Sequence, residues 1–236
     1  MITYKHILTL YSLENIKNMP RNIEKDVKEE MLRRKNLLEA GLRLCSENGI
    51  ESIKLQEIAD EAGVGIATLY NYYGNKVNLV NAISAYMWKN VWDENIKAVG
   101  ADVLDSFNAY QRVEAYFDLM IYLYKEHPEI LRFSSYYKTY MNQGNVVKTE
   151  KNEHLDVVAP IATIFHDLYE KAQVDKSIRT DIDENTMFTT LALTMLGMAE
   201  RYAQGLVWAS NDDNDYTGEL IILKDMMLKW LRGQNA

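Results

Sequence analysis

The chain has 236 residues, of which 47% are hydrophobic, so it can bury a large core as one long domain or as a small module joined to a larger one. Only three prolines interrupt it, and no stretch alternates apolar and polar residues as a half-buried strand does, which favours an all-helical fold. No apolar run reaches the roughly 18 residues that a membrane helix requires. With a single cysteine, Cys45, and no signal peptide ahead of the folded region, we expect a reducing, cytoplasmic setting.

The formal net charge of −8 is unevenly distributed. It is +1 over residues 1–20, −1 over residues 21–80 and −8 over residues 81–236. Contact with a phosphate backbone depends on where a few cations and helix N-termini lie, not on the charge of the whole chain. The acidic balance therefore does not exclude nucleic-acid binding by the first 80 residues.

The first elements predicted along the chain are one long helix and two short ones, separated by glycine-containing turns. Residues 1–27 have weak periodicity and are predicted to be an N-terminal extension. A helix is predicted from Val27 to Asn48, where Asn48-Gly49 is a typical C-terminal stop. Apolar residues at helical spacing predict a second helix starting near Leu55, with Ser52 as a candidate N-cap, and a third over residues 66–73.

The rest of the chain is predicted to consist of longer helices. Asn75 is a good N-cap for a fourth helix that begins at Lys76. Further helices are predicted at roughly 103–126, 128–142, 149–174, 183–210 and 216–232. Pro128 suits the first turn of its helix, whereas Pro160 should kink or split the helix that contains it.

Two short helices joined by a glycine-containing turn form a helix-turn-helix pattern. The segment that carries it, LQEIADEAGVGIATLYNYYGNK at residues 55–76, resembles the DNA-binding signature of the TetR family of bacterial transcriptional regulators. The resemblance runs from about residue 33 to 83. It implies an all-α fold in which an N-terminal three-helix DNA-binding domain at residues 28–82 is followed by a larger helical domain at residues 83–236 that binds ligand and dimerises.

The third helix is the candidate recognition helix. Val64, Leu69 and Tyr73 have the spacing to face inward, which directs the remaining positions toward a major groove. By resemblance, Thr68 and Asn71 reach bases or adjacent backbone, Tyr70 lies against a phosphate and a thymine methyl, and Lys76 clamps a phosphate. The full set of candidate DNA contacts is Lys54, Gly65, Ile66, Ala67, Thr68, Tyr70, Asn71, Tyr72 and Lys76.

Two departures from the family pattern affect this interface. Lys54 stands where the family usually has a Ser or Thr cap, and Gly65-Ile66 stand where a Ser and a polar or basic residue are common. The helix has no Arg to contact guanine through two hydrogen bonds, so base recognition is expected to depend on methyl groups, amide contacts and DNA shape.

The C-terminal region is rich in aromatic residues and methionine. The resemblance implies a cavity for a small-molecule effector there, and tyrosines suit a flat or cationic ligand because cation–π attraction contributes about 0.5–2 kcal/mol per contact. The predicted ligand contacts are Tyr116, Met120, Phe133, Tyr137, Phe165 and Tyr169.

The last two helices are predicted to form a two-fold homodimer. Their apolar stripes are longer than one neighbouring helix needs, and Gly197 and Gly205 suggest a close approach of backbones. Such a dimer would hold two recognition helices about 34–36 Å apart, as successive major grooves require. The predicted interface residues are Leu191, Met195, Met198, Tyr202, Leu220, Leu223, Met227 and Trp230. The alternative is that both stripes pack inside one subunit.

The sequence therefore predicts a ligand-responsive DNA-binding regulator, more specifically a repressor that a small molecule releases from its double-stranded DNA operator. One alternative is a TetR-like protein that has lost DNA binding and acts as a protein-binding co-activator. An enzyme is the other, but no nucleophile–base motif, paired carboxylates or phosphate loop stands out. The four histidines show no metal-ligand spacing, and no cofactor is expected.

Overall fold

The computed structural model describes residues 21–143, 165–207 and 215–232, and within these ranges every regular element is an α-helix. None of the helices searched in these ranges is both long and apolar enough to cross a membrane. In chain order the helices are α1 (Arg21–Asn48), α2 (Leu55–Glu61), α3 (Ile66–Tyr73), α4 (Lys76–Val99), α5 (Ala101–Ser106), α6 (Ala109–Glu126), α7 (Pro128–Met141), α8 (described over residues 165–175), α9 (Glu184–Ala203) and α10 (Thr217–Arg232).

The first three helices form the predicted helix-turn-helix unit. α1 packs against α2, and α2 packs against α3, around the fully buried side chains of Leu37, Ile58 and Leu69. The turn between α2 and α3 contains Gly63 at a φ of +65°, a left-handed conformation that favours glycine. The all-α architecture with an N-terminal helix-turn-helix is confirmed.

α4 connects this unit to the rest of the chain. Asn75 caps it as predicted, because its Oδ1 accepts a hydrogen bond from the Asn78 N–H at 2.8 Å. α4 packs along α1, where Gly41 allows a close approach: a Cβ at that position would collide with the buried side chain of Ile83.

The C-terminal helices continue the same apolar core. α6 packs against α9 and α10, and α7 packs against both α1 and α9. Phe117 of α6, Phe133 of α7 and Met195 of α9 are completely buried, and they belong to one cluster with the core of the helix-turn-helix unit. α7 therefore lies between the DNA-binding helices and the helices predicted to dimerise.

Several predicted helix boundaries were wrong. α1 begins at Arg21 rather than near residue 27, and the helix predicted at 103–126 is two helices because Asn108 caps the second through the Gln111 N–H at 2.9 Å. The helix predicted at 183–210 ends at Ala203, shortly before Gly205 adopts a φ of +69°. Residues 165–175 are helical, whereas residues 149–164, with Pro160, lie outside the described residues. The helices predicted at 128–142 and 216–232 are confirmed to within one residue.

Candidate DNA-binding face and an adjoining cleft

The recognition helix α3 is attached to the core on one side and open to solvent on the other. Val64, Leu69 and Tyr73 are buried, as their spacing predicted, and Leu69 has no exposed surface. Tyr70 is 50% exposed, and its neighbour Asn71 is also exposed. Gly65 and Ala67 complete the exposed set at the start of the helix. The free face of α3 thus presents a phenol, an amide and a methyl group.

Three of the predicted contact residues on α3 are only partly exposed. Ile66 packs against the core, and Thr68 is half-buried. Tyr72 lies against α1, where the Arg34 guanidinium stacks 4.0 Å from its ring and Arg33 Nε donates to its hydroxyl at 3.3 Å. Tyr72 therefore connects α3 to α1, and its predicted role at DNA stays a prediction.

Lys54 occupies the N-cap position of α2 and is exposed. Its backbone N–H donates to the Glu57 carboxylate at 2.8 Å, so the first turn of α2 is capped by Glu57. The expectation that Ser52 caps α2 was wrong, because Ser52 Oγ donates instead to the Asn48 carbonyl at the end of α1, at 2.6 Å. The Lys54 side chain is exposed and makes no ion pair with a described residue.

Lys76, at the first turn of α4, is directed back toward the protein. Its Nζ donates to the carbonyl oxygens of Glu51 at 3.1 Å and Ile53 at 2.5 Å, and it lies 5.9 Å from the ring centre of Tyr140 on α7. Partial burial lowers the pKa of this lysine. In the structure its ammonium therefore holds the loop between α1 and α2 against α4 and α7, and its predicted phosphate contact stays a prediction.

The positive charges of α1 are mostly paired within the helix. Arg34 pairs with Glu30 at 2.9 Å, and Arg33 lies 3.7 Å from Glu29. Arg43 pairs with Glu61 and so ties α1 to α2. The exposed pairs of Arg33 and Arg43 each contribute little to stability, about 0–1 kcal/mol.

A cleft of about 680 Å³ opens between α1, α4 and α6, next to the helix-turn-helix unit. Its walls combine apolar and aromatic side chains with several polar groups. The lining residues are Glu39, Leu42, Tyr86, Met87, Asn90, Val91, Glu94, Asn95, Ala98, Val99, Phe107, Ala115, Asp118, Leu119, Tyr122, Leu123, His127 and Ile130.

The six predicted ligand contacts do not line this cleft. Met120, Phe133, Tyr137 and Phe165 are buried in the core. The hydroxyl groups of the tyrosines are used internally: Tyr137 donates to Asn81 Oδ1 at 2.9 Å and Tyr169 to the Ile182 carbonyl at 2.7 Å.

Tyr116, the sixth predicted ligand contact, packs edge-to-face against Phe165, and burial raises the pKa of its phenol. With the other five it takes part in the packing of the C-terminal helices. A ligand role for these side chains stays a prediction.

The predicted dimer residues divide between the inside and the outside of the subunit. Leu191, Met195, Leu220 and Met227 are buried in the subunit's own core, so they face inward in the described structure. Met198, Tyr202 and Leu223 are partly buried against that core, and Trp230 is exposed. A dimer contact by these eight residues stays a prediction.

A second apolar stripe lies on the outer side of the same two helices, and of its residues the predicted interface included only Trp230. On α10 it contains Ile222 and Met226, which are 61% and 63% exposed, followed by Trp230 one turn later. On α9 it contains Leu193 beside Gly197, where an added Cβ would meet no described atom within 4 Å. The signal was present as a spacing of four residues from Ile222 to Trp230, but the stripe that faces the core has the same period.

The cleft was also missed. Its residues come from separate helices, and no local spacing brings Glu39, Glu94 and Asp118 together. On α4 the residues Met87, Asn90, Val91 and Glu94 recur at helical spacing along the side that lines the cleft, but the sequence does not show which helices face them.

Comparison with known proteins agrees with the helix-turn-helix assignment. The family model described as bacterial regulatory proteins, tetR family, matches residues 37–83. The HTH-type transcriptional repressor KstR of Rhodococcus jostii is 42% identical over 48 residues, which are 20% of this chain and 23% of that protein. The HTH-type transcriptional regulator BetI of Brucella anthropi is 31% identical over 71 residues, 30% of this chain and 37% of that protein. The chain thus matches about a quarter to a third of the length of these relatives.

Solved structures extend the similarity of fold to most of the chain. The fatty acid degradation regulator FadR from Bacillus halodurans has a TM-score of 0.64 at 12% identity, covering 83% of this chain and 94% of that one. FadR from Bacillus subtilis, solved in complex with stearoyl-CoA, has a TM-score of 0.64 at 14% identity, covering 86% and 99%. These similarities establish a common helical fold.

Proposed function

We propose that this chain, which belongs to the TetR family by its DNA-binding domain, is a cytoplasmic, dimeric transcriptional repressor that a small molecule releases from its operator. The observation that carries the proposal is the recognition helix α3, whose Leu69 is fully buried while Tyr70 and Asn71 are exposed within the matched segment. Exposed aromatic and amide groups on a rigidly packed short helix suit a major groove. The relatives named above are transcriptional regulators, which supports this class over an enzyme.

We propose that different residues contact the bases and the phosphates of the DNA. The Asn71 amide can both donate to and accept from an adenine edge, whereas the Ala67 methyl suits the methyl group of thymine. Lys54, at the exposed N-terminus of α2, and Tyr70 suit phosphate oxygens and set the register of the protein on the duplex. A phosphate contact by Lys76 requires its ammonium to leave at least one of the carbonyls that it now contacts.

The outer stripe of α9 and α10 supports a two-fold dimer. Ile222, Met226 and Trp230 expose apolar surface on one side of α10. Gly197 lies on the exposed side of α9, and glycine within a helix costs about 1 kcal/mol relative to alanine, a cost that close packing against a second copy would explain. Two copies would then build a four-helix interface from the outer faces of these helices, with the inner stripes remaining in each core.

The cleft supports a response to a ligand. It is bordered by α1 of the helix-turn-helix unit, by the connecting helix α4 and by α6. A ligand that binds more tightly to one relative arrangement of these helices shifts the population toward that arrangement, and this changes the spacing of the two recognition helices. The complex of Bacillus subtilis FadR with stearoyl-CoA is a case of ligand binding in a regulator of similar fold.

The proposal is tested by gel shift with the DNA upstream of the chain's own gene, at fixed salt. The unchanged protein should bind one fragment well above its binding to unrelated DNA. Asn71→Ala should weaken binding to that fragment by roughly 1–3 kcal/mol while leaving binding to unrelated DNA nearly unchanged.

The matched control is Asn142→Ala, which removes the same amide from the end of α7 and should leave both affinities unchanged. If the folded dimer bound no fragment better than unrelated DNA, the repressor proposal would fail in favour of the co-activator alternative.

A further inference from the structure

The cleft between α1, α4 and α6 carries an unbalanced charge. Three carboxylates line it, one from each helix: Glu39, Glu94 and Asp118. Among the described residues that line it, none is Lys or Arg. Because the three groups come from separate helices, their convergence is a property of the fold.

The carboxylates are only partly neutralised by their surroundings. Lys224 donates to Asp118 at 2.6 Å, and Lys35 lies 3.5 Å from Glu39, but neither lysine lines the cleft. Glu94 makes no ion pair with any described residue. In the cleft, Glu94 therefore has no counter-ion among the described residues, and Glu39 has only Lys35, whose side chain is exposed to solvent.

The remaining walls suit an organic molecule rather than a bare ion. Met87 and Leu119 form a buried apolar floor, and Tyr86, Phe107 and Tyr122 line the cleft with aromatic rings. The Tyr86 hydroxyl donates to Glu39 at 2.8 Å, which orients that carboxylate beside an aromatic ring. Aromatic faces and carboxylates both attract positive charge. The cleft volume of about 680 Å³ is within the range of pockets that bind drug-sized ligands.

We infer that this cleft binds an amphipathic organic cation, whose positive charge is attracted by the carboxylates of Glu39 and Glu94 and whose apolar body lies against the aromatic and aliphatic walls. In treating this molecule as the effector, the inference rests on the proposed function. Glu39 belongs to the helix-turn-helix unit and Glu94 to α4, which connects that unit to the C-terminal helices, so the cation would contact both the unit and its connecting helix.

The test uses the purified full chain without DNA and two dyes that share a xanthene core. Tetramethylrhodamine methyl ester is cationic and fluorescein is anionic, and fluorescence anisotropy reports the binding of each. The cation should bind saturably, and the anion should bind at least tenfold more weakly. Glu94→Gln should weaken binding of the cation about two- to fivefold, as should Glu39→Gln, because each removes one partly exposed charge partner.

The matched control is Asp93→Asn. Asp93 is the neighbouring carboxylate on α4, pairs with Lys89 and does not line the cleft, so its removal should leave the affinity for the cation unchanged. Equal binding of the two dyes, absence of saturable cation binding, or equal effects of Asp93→Asn and Glu94→Gln would each overturn the inference. Operator binding in the gel shift is measured separately, so failure of the cation site and failure of the repressor proposal give different results.

Discussion

The hydrogen bond between α4 and α7 allows the packing of the two helices to be tested quantitatively. The Tyr137 hydroxyl donates to Asn81 Oδ1 at 2.9 Å, and both side chains are at least 95% buried. Tyr137→Phe keeps the ring and its stacking on Phe133 but leaves the Asn81 oxygen without that donor. We expect the free energy of unfolding to fall by about 1–3 kcal/mol, the cost of a buried polar group that loses its partner. For a chain of this length each kcal/mol corresponds to a fall in Tm of about 2–4 °C.

A double-mutant cycle separates the hydrogen bond from other effects of the substitutions. Asn81→Leu leaves the Tyr137 hydroxyl without this acceptor, and combining it with Tyr137→Phe removes both polar groups. The free energy of unfolding of the double variant should therefore fall by about 0.5–3 kcal/mol less than the sum of the falls in the two single variants. Urea unfolding followed by circular dichroism provides the measurement. Tyr136→Phe is the matched control on α7, because its hydroxyl makes no hydrogen bond with a described residue, and it should change stability by less than about 0.5 kcal/mol. A coupling energy near zero would refute the reasoning.

Two further predictions concern the core of α1 and the outer face of α10. Cys45 is fully buried, and burial raises the pKa of its thiol to about 11, so at pH 8 the thiol should be protonated and inaccessible to a thiol reagent. Labelling should therefore proceed only as fast as the chain unfolds. A labelling rate close to that of the guanidinium-unfolded control would contradict this burial. Ile222→Asp combined with Met226→Asp should yield a folded monomer of 27.4 kDa in analytical ultracentrifugation, because both side chains lie outside the core. Asp225→Asn is the polar control on the same helix and should leave the dimer intact. An unaltered dimer in the double variant would disprove the proposed interface.

The route from the cleft to the DNA-binding face is short in this fold. α1 contributes Glu39 to the cleft and Arg34 to the contact with Tyr72 of the recognition helix, and these two residues are five positions apart. On its other side α1 packs against α7, which in turn packs against α9. A shift of α1 would therefore alter its contact with α3 and, through α7, the position of the helices proposed to dimerise.

The helix-turn-helix unit was predictable from the sequence because its determinants are local. The spacing of Leu69 and Tyr73 places both on one side of the two-turn helix α3, and Val64, in the turn just before it, is buried with them. The Asn75 cap likewise depends on a hydrogen bond to a residue three positions away.

Only the tertiary structure decided the surroundings of residues whose partners are distant in sequence. Lys76 resembles a phosphate ligand in the signature, yet its ammonium binds carbonyls more than 20 positions away because the loop after α1 folds against α4. In α10 the apolar stripes of Leu220 and Ile222 have the same helical period, so the sequence does not distinguish the stripe that enters the core from the one left outside. Helical periodicity defines faces but not neighbours, and the cleft exists only because three separate helices meet at its walls.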